Sequence, residues 1–363
     1  MPSTTVPRLV SRLAQGLTVP FVPDDYLDLV APLRSGADLR GRIVAVHPET
    51  AEAATITIRP GRDWAGHVPG QYVRLGVDVD GVRRWRAYSI TSVSNGPTAR
   101  DRTISITVKA MADGLVSRHL VHRTRPGTVV ALDQATGDFV LPQAVPRGLL
   151  FLTGGSGITP VMGMRRNHDL RERDAVHIHS APTAADVIFA EELRRESPGV
   201  RTHVRHTDDE GMLDPTALDV LVPDWRERET WLCGPTPMLD AFEAVWAEAG
   251  IADRLHVERF RPAITATGEG GRISLTTGAE RTEVEADGAT TVLDAAEDAG
   301  VIMPSGCRMG VCFGCVLPMT DGAVRDLRNG TLTETTPDDP PVKVQTCISA
   351  VAGACTIETQ ESA

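Results

Sequence analysis

The sequence predicts a multi-domain protein: an antiparallel β-barrel, an α/β unit on a parallel sheet, and a small α+β unit. Three observations carry that expectation. From 39 to 146, short β-like runs such as GRIVAVHP, AATITIRP and RTISITVKA are broken by Gly, Pro and Asp, with no long helical pattern between them. From 147 to 262, strand-like and helix-like segments alternate, which is how a parallel sheet reads. From 272 to 363, strand-like runs surround one helix and the loop PSGCRMGVCFGC, which packs three of the chain's 6 cysteines into nine residues. A chain of 363 residues also exceeds what one ordinary core holds.

The elements follow in order. In the first segment, 1–38, Val6, Leu9, Val10, Leu13 and Leu17 fall at helical spacing with Arg8 and Arg12 between them. The plain expectation is a helix packed on its own protein; the sharper alternative is a peripheral membrane-surface or partner-docking helix. In the barrel block, VDVDGVRR places Asp-Gly between alternating residues, a hairpin signal. In the α/β block, GLLFLTGGSG reads as a buried strand and a Gly-rich turn, and ITPVMGMRRNHDL as the helix after it. AVHIHSA, VRTHVRHT and ETWLCGP read as further strands. AADVIFAEELRRE reads as one helix, and TPMLDAFEAVWAEAG as another closed by Gly250. Residues 263–271 lack apolar periodicity and read as a linker. TVLDAAEDAG is the helix of the last block.

The net charge of −11 argues against nucleic acid as a partner. From Arg272 onward there are 14 acidic and 6 basic residues, so most of that charge sits in the last block. Such a face is usually only solvated, but it also suits docking of a basic partner. No run of about 18 apolar residues occurs, and the N-terminal segment lacks an export signal's apolar core. A cytoplasmic protein is expected, and clustered cysteines then serve as metal ligands or catalysts rather than in disulfides.

Cys307, Cys312, Cys315 and Cys347 are spaced C-x4-C-x2-C with a distant fourth. This is the plant-type spacing for a 2Fe-2S cluster, with three thiolates on a tight loop and the fourth brought in by the fold. Gly306, Gly310 and Gly314 let such a loop wrap closely. A zinc site more often pairs two C-x2–4-C units, and only Cys312/Cys315 form one. Cys355 lies in an apolar strand-like run and reads as a plain buried residue.

A one-electron carrier needs a source, and two candidate sites lie upstream. In RAYS, Arg86 can fork onto a flavin phosphate, Tyr88 can pack on the flavin or its ribityl chain, and Ser89 can bond flavin N5. The bland alternative is a surface arginine and a core tyrosine. Gly114 to Ser117 would open a short helix suited to a phosphate, or form an ordinary turn capped by Ser117. TGGSGITP follows an apolar strand and opens a helix, as a dinucleotide site does, although Pro160 stands where the usual third glycine would be. Cys233, in LCGPTPM, would face the same crevice or be a buried small residue.

Together and in this order, RAYS, GLVS, TGGSGITP and CGPTPM resemble the ferredoxin–NADP reductase superfamily. PSGCRMGVCFGC with Cys347 resembles a plant-type ferredoxin domain. The whole is similar to three-module oxygenase and acyl-CoA desaturase reductases. The resemblance implies a β-grasp fold for the last block. It implies FAD held by Arg86, Ala87, Tyr88, Ser89, Val108, Lys109, Gly114, Leu115, Val116, Ser117 and Phe260, with FMN the alternative. It implies the nicotinamide half at Thr153, Gly154, Gly155, Gly157, Cys233, Gly234 and Pro235. Glu258 joins Ser89 and Cys233 as groups assisting hydride transfer by position and polarity. No acid ends the second strand of the block, where Ser180 stands, and Arg205 follows the next strand, which favours NADPH over NADH. The implied protein is an electron-transfer reductase, expected as a monomer, serving an oxygenase or desaturase that docks near the acidic block. A haem-thiolate monooxygenase or ring-hydroxylating oxygenase is an alternative acceptor, and a redox sensor is the rival of another class.

Overall fold

In the computed structural model, residues 31–36, 38–94, 103–112, 114–260, 266–278, 280–306, 308, 310 and 313–359 are described. The expected N-terminal helix lies almost wholly outside them.

The first unit is a six-stranded sheet made of β1 (Arg40–Thr50), β2 (Ala53–Pro60), β3 (Tyr72–Val79), β4 (Val82–Ser89), β5 (Ile104–Lys109) and β6 (Val129–Leu132). Its order is β4-β3-β6-β1-β2-β5, all pairs antiparallel. A bridge between Ile90 and Ile106 brings the two edges together and closes the barrel. The β3–β4 hairpin turns at Asp80 and Gly81, with φ of 52° and 83°, the two left-handed residues a tight hairpin turn needs. Inward-facing Ile43, Ile56, Ile58, Val73, Leu75 and Ile106 form the barrel core. Helix α1 (Leu115–His122) buries Val116 and Leu120 against it.

The second unit is a parallel sheet of β7 (Gly148–Gly154), β8 (Asp174–Ala181), β9 (Val200–His206), β10 (Glu229–Cys233) and β11 (Leu255–Glu258). Its order is β11-β10-β7-β8-β9. The chain moves outward from β7 to β9, then jumps back to the other side of β7. That reversal opens a crevice at the carboxyl ends of β7 and β10, where the two glycine turns stand. β7 and β8 are buried on both faces, which accounts for their near-continuous apolar runs. Helix α2 (Ile158–Asn167) follows β7 as expected. The single helix expected over AADVIFAEELRRE is instead a turn at 184–186 and a short helix, α3 (Ala190–Arg194). Phe189 breaks it with φ of 60°, because Val187, Ile188 and Phe189 are all drawn into one apolar cluster. Helices α4 (Thr207–Glu210) and α5 (Leu218–Leu221) are single turns, and α6 (Thr236–Glu248) ends before Gly250, whose φ is 69°.

The third unit is a mixed sheet of β12 (Gly270–Thr277), β13 (Glu280–Ala286), β14 (Val316–Asp326), β15 (Leu332–Thr335), β16 (Val342–Gln345) and β17 (Ser349–Glu358). Its order is β13-β12-β17-β14-β15, with β16 also paired to β14 and only β12–β17 parallel. Helix α7 (Val292–Asp298), capped by Thr291 Oγ1 accepting from the Asp294 N–H at 3.1 Å, packs Val292, Leu293 and Ala296 onto Ile273 and Ile357. The expected linker is tighter than its composition implies. Ala266 donates to Leu327 O at 3.0 Å, Gly268 donates to Gly288 O at 2.7 Å, and β12 begins at Gly270. No helix among the described residues is long and apolar enough to cross a membrane.

Strand β4 touches both other units. At its end, the Ile90 carbonyl lies 2.5 Å from where a Cβ on Gly163 of α2 would stand, so only glycine permits that approach. Asn167 Nδ2 adds a bond to Ser92 O at 3.0 Å. Further back, Arg84 pairs with Asp298 of α7 at 2.6 Å.

Candidate functional site

Ser89 ends β4 with its side chain buried and its Oγ without a hydrogen-bond partner among the described residues. A buried hydroxyl left open costs about 1–3 kcal/mol unless a ligand answers it. Tyr88 is half-buried, and desolvation pushes its phenol up, so it stays neutral. Arg86, alternating with Tyr88 on the same strand face, has its Nη1 bonded to Trp85 O at 2.8 Å and paired with Glu297 at 3.3 Å. Ala87 lies between them on the opposite face. The Val108 side chain turns into the barrel core, so only its backbone is available to a ligand. Lys109 alternates to the other side, and its Nζ lies 4.0 Å from where a Cβ on Gly155 would stand.

Helix α1 starts at Gly114 with no side-chain cap and no acid in its first turn, so its leading N–H groups suit an anion. Ser117 is not that cap. Its Oγ donates to Gly114 O and accepts from the Met111 N–H, both at 3.1 Å, which braces the turn behind the helix start. Leu115 is exposed and Val116 is core.

Across the crevice, the two glycine turns are packed backbone on backbone. A Cβ on Gly157 would stand 2.1 Å from Cys233 O, and one on Gly154 would stand 2.7 Å from Pro235 Cδ. These glycines, with Gly234, are needed for the turns to meet each other. Gly155 is different: its φ is 53° and it faces Lys109 rather than the second turn. Of the turn glycines, it is the one with room for a phosphate.

Thr153, next to last in β7, lies inside a buried polar chain. Arg165 can only donate, so His177 Nδ1 accepts from its Nη1 at 2.7 Å. His177 Nε2–H then donates to Thr153 Oγ1 at 2.8 Å. The Thr153 hydroxyl meets His179 Nδ1 at 2.9 Å, and His179 Nε2 has no partner among the described residues. Desolvation holds His177 well below its usual range and His179 at about 4, so both rings are neutral. His179 and Lys109 are close enough to interact electrostatically. The chain's signal in the sequence is a pair of histidines two apart on an apolar strand.

Cys233 and Glu258 sit side by side in the β10–β11 register. Desolvation, then the neighbouring Glu258 charge, pushes the Cys233 thiol well up. Desolvation, then Asp138, raises the Glu258 carboxyl to about 8, and its Oε2 has no partner among the described residues. At neutral pH the pair is a thiol and a carboxylic acid, uncharged and facing a crevice. Phe260, just beyond, is 42% exposed and free to cover a ring.

Ser180 and Arg205 are adjacent in the β8–β9 register. The Ser180 hydroxyl is buried and unpartnered among the described residues. Arg205 is already engaged: Nε donates to Gly211 O at 2.8 Å, Nη2 to Glu210 O, and Nη1 pairs with the Glu210 carboxylate at 3.6 Å. It holds its own loop, which weakens its expected part in nicotinamide choice.

In the third unit, Cys315 and Cys347 are buried side by side. The hydrogen bond from Cys347 is the largest cause that lowers the Cys315 thiol to about 6, toward the thiolate that a metal needs. Thr346 braces the pair by donating Oγ1 to Cys315 O at 3.0 Å. Cys307 and Cys312 lie outside the described residues. The loop between is anchored at Gly310, with φ of 76°, whose carbonyl accepts from Arg328 Nη1 and Gln345 Nε2, both at 3.1 Å. No sequence signal marks either anchor. Cys355 is buried on β17, and desolvation raises it to about 12.

These observations fit the expected groups. The open Ser89 hydroxyl and the bare start of α1 suit a flavin with its phosphates. Gly155 and Lys109 suit a dinucleotide phosphate, and the Cys315–Cys347 pair suits a thiolate-ligated cluster.

Comparison with known proteins agrees. Residues 276–352 match the family described as a 2Fe-2S iron-sulfur cluster binding domain, and residues 54–141 match the oxidoreductase FAD-binding domain. The chain is 48% identical to an "NADPH oxidoreductase" of Mycobacterium tuberculosis, over 96% of this chain and 91% of that one. It is 31% identical to the "glycine betaine monooxygenase reductase subunit" of Chromohalobacter salexigens, over 80% of this chain and 86% of that one. The solved structure of phthalate dioxygenase reductase shares its fold, with a TM-score of 0.63 at 21% identity over 88% of this chain and 97% of that one.

Proposed function

The chain belongs to the family of oxidoreductases that join an FAD-binding domain to a 2Fe-2S domain, and from that premise we propose that it draws electrons from NADPH and delivers them singly to a partner oxygenase or acyl-CoA desaturase. FAD, when bound, supplies the conversion of a two-electron hydride into single electrons, and the cluster supplies the one-electron exit.

The observation that carries the reading is strand β4. From Arg84 to Ile90 it runs about 20 Å. One end meets the helix behind the dinucleotide turn, and the other is ion-paired to the cluster unit. Candidate donor and exit sites therefore flank a single strand.

The chain's own residues then have distinct parts. Gly155, Lys109 and Ser180 bind and orient the nucleotide. Ser89 donates its hydroxyl at the flavin face. Cys233 and protonated Glu258 give that crevice polar contacts without adding a charge. Cys315 and Cys347, with Cys307 and Cys312, hold the cluster. Exposed Phe313 of the loop and exposed Ile302 just before it offer the acceptor an apolar contact.

Anaerobic titration with NADPH and with NADH, followed in the visible spectrum, tests this. Flavin and iron–sulfur bands both bleach with NADPH, and more NADH is needed for the same effect. If neither nucleotide bleaches them, the proposed activity fails.

A further inference from the structure

Polar contacts between the barrel and the cluster unit fall on helix α7 and on Ser305 beyond it. Arg84 Nη1 meets Asp298 at 2.6 Å. Arg86 meets Glu297 at 3.3 Å and Asp294 at 3.9 Å. On the neighbouring strand, Arg74 Nη2 donates to Ser305 Oγ at 3.1 Å. Glu297 is a buried carboxylate with two guanidinium partners, Arg86 of the barrel and Arg308 of the cysteine loop. A buried charge of this kind is tolerable only while both partners stay in place. Three barrel arginines thus face three acids and a serine that belong to, or adjoin, the cluster-bearing loop.

The placement of these residues is as telling as their charge. Arg84 and Arg86 share a strand face with Tyr88, so the docking contact and the expected flavin contact lie on one surface. Arg84 is largely buried although its partner Asp298 is exposed, and Glu297, the partner of Arg86, is buried, so the second pair is the less screened of the two. Docking also cannot be left to the covalent connection. The second unit's described residues end at Phe260, and from Ala266 onward the chain is bonded into the cluster unit. The distance between electron donor and acceptor is therefore set by noncovalent contact.

We propose that the Arg84–Asp298 and Arg86–Glu297 pairs form a charge latch that holds the cluster unit against β4 for electron transfer, with Arg84 and Asp298 as positioning residues for that step. The proposal rests on the reductase reading for the step it serves, but the latch itself can be tested without it. The overall reaction balances: NADPH loses a hydride, its two electrons leave one at a time to two one-electron acceptors, and one proton is released to solvent. The latch acts only after the hydride has arrived. Breaking it therefore separates two rates that would otherwise move together.

The test uses the full chain with its cofactors, in three variants: Arg84→Glu, Asp298→Arg, and the two combined. Small-angle scattering at low and high salt reads docking directly. Stopped-flow mixing with NADPH reads flavin and cluster bleaching separately. Each single variant, and the parent at high salt, gives a larger radius of gyration. In each single variant cluster bleaching slows by ~10-fold or more, while flavin bleaching stays within about twofold. The double variant, with the charges exchanged, recovers compactness and cluster bleaching. Unchanged scattering in the single variants overturns the latch, and so does failure of the exchanged pair to restore it. If NADPH bleaches no flavin in the parent, the reductase reading fails, and the scattering results still decide the latch.

Discussion

The nicotinamide crevice and the cluster pocket each bury a thiol, and they treat it oppositely. Cys233 is fully buried and pushed well up, by desolvation and by Glu258 beside it. Cys315 is just as buried and is lowered to about 6, because Cys347 hydrogen-bonds to it. Burial alone therefore does not decide ionisation; the partner does. Cys355 is the internal control: it shares a core with Cys315, has no such partner among the described residues, and rises to about 12. The Cys233–Glu258 side of the crevice thus stays uncharged at neutral pH, which suits a hydride passing between two rings. The pocket is built to become anionic, which suits a metal centre.

The contrast can be broken first at the pocket. Cys347→Ser removes a proposed cluster ligand and the hydrogen bond that favours the Cys315 thiolate. Iron and labile sulfide should fall by ~10-fold or more, while flavin bleaching by NADPH persists. Loss of flavin bleaching as well would mean that the two regions are not separable.

Ser89→Ala probes the crevice side. If the open hydroxyl serves the flavin, single-turnover flavin reduction slows by ~10- to 100-fold, equivalent to a lost bond of about 1–3 kcal/mol. Bound flavin should be nearly unchanged.

Glu258→Gln sharpens the point about charge. The wild-type flavin reduction rate should fall as pH rises through about 8, where the carboxyl ionises, and the variant should lose that limb. Stability follows the same sign. The folded carboxyl keeps its proton from the ordinary 4.5 up to about 8, while the unfolded chain has released it, so wild-type stability declines with pH across that window. Thermal unfolding of the variant should show a shallower decline.

The smallest effect concerns nicotinamide choice. Arg205→Ala should change the NADPH-to-NADH preference by less than about threefold, because that guanidinium is tied to Glu210 and Gly211. Ser180→Asp, which aims a charge where a 2′-phosphate would lie, should raise KM for NADPH by ~10-fold. Ratios of kcat/KM for the two nucleotides decide both.

Much of this was legible in the sequence because it is local. The spacing of Cys307, Cys312 and Cys315 lies in one loop, and the run into TGGSGITP announces strand, turn and helix together. The hairpin at Asp80-Gly81 is set by two residues' backbone preferences. What was not legible depends on residues far apart in the chain. Nothing near Arg205 says that Gly211 will occupy it, and nothing in RAYS says that Arg86 will meet Glu297, 211 residues later. The helix expected over 184–196 was broken because three consecutive apolar side chains were drawn into one core, overriding local propensity at Phe189. Arg328 and Gln345, which fasten the cysteine loop, carry no pattern; only the folded sheet brings them to Gly310.

Rapid anaerobic mixing of the holoprotein with NADPH, monitored at a flavin band and an iron–sulfur band together, tests the central claim most directly. The account predicts that flavin bleaching comes first and cluster bleaching follows. In the Cys347→Ser protein the first phase should remain and the second vanish. A cluster that bleaches without the flavin, or a first phase that disappears with the cysteine, would contradict it.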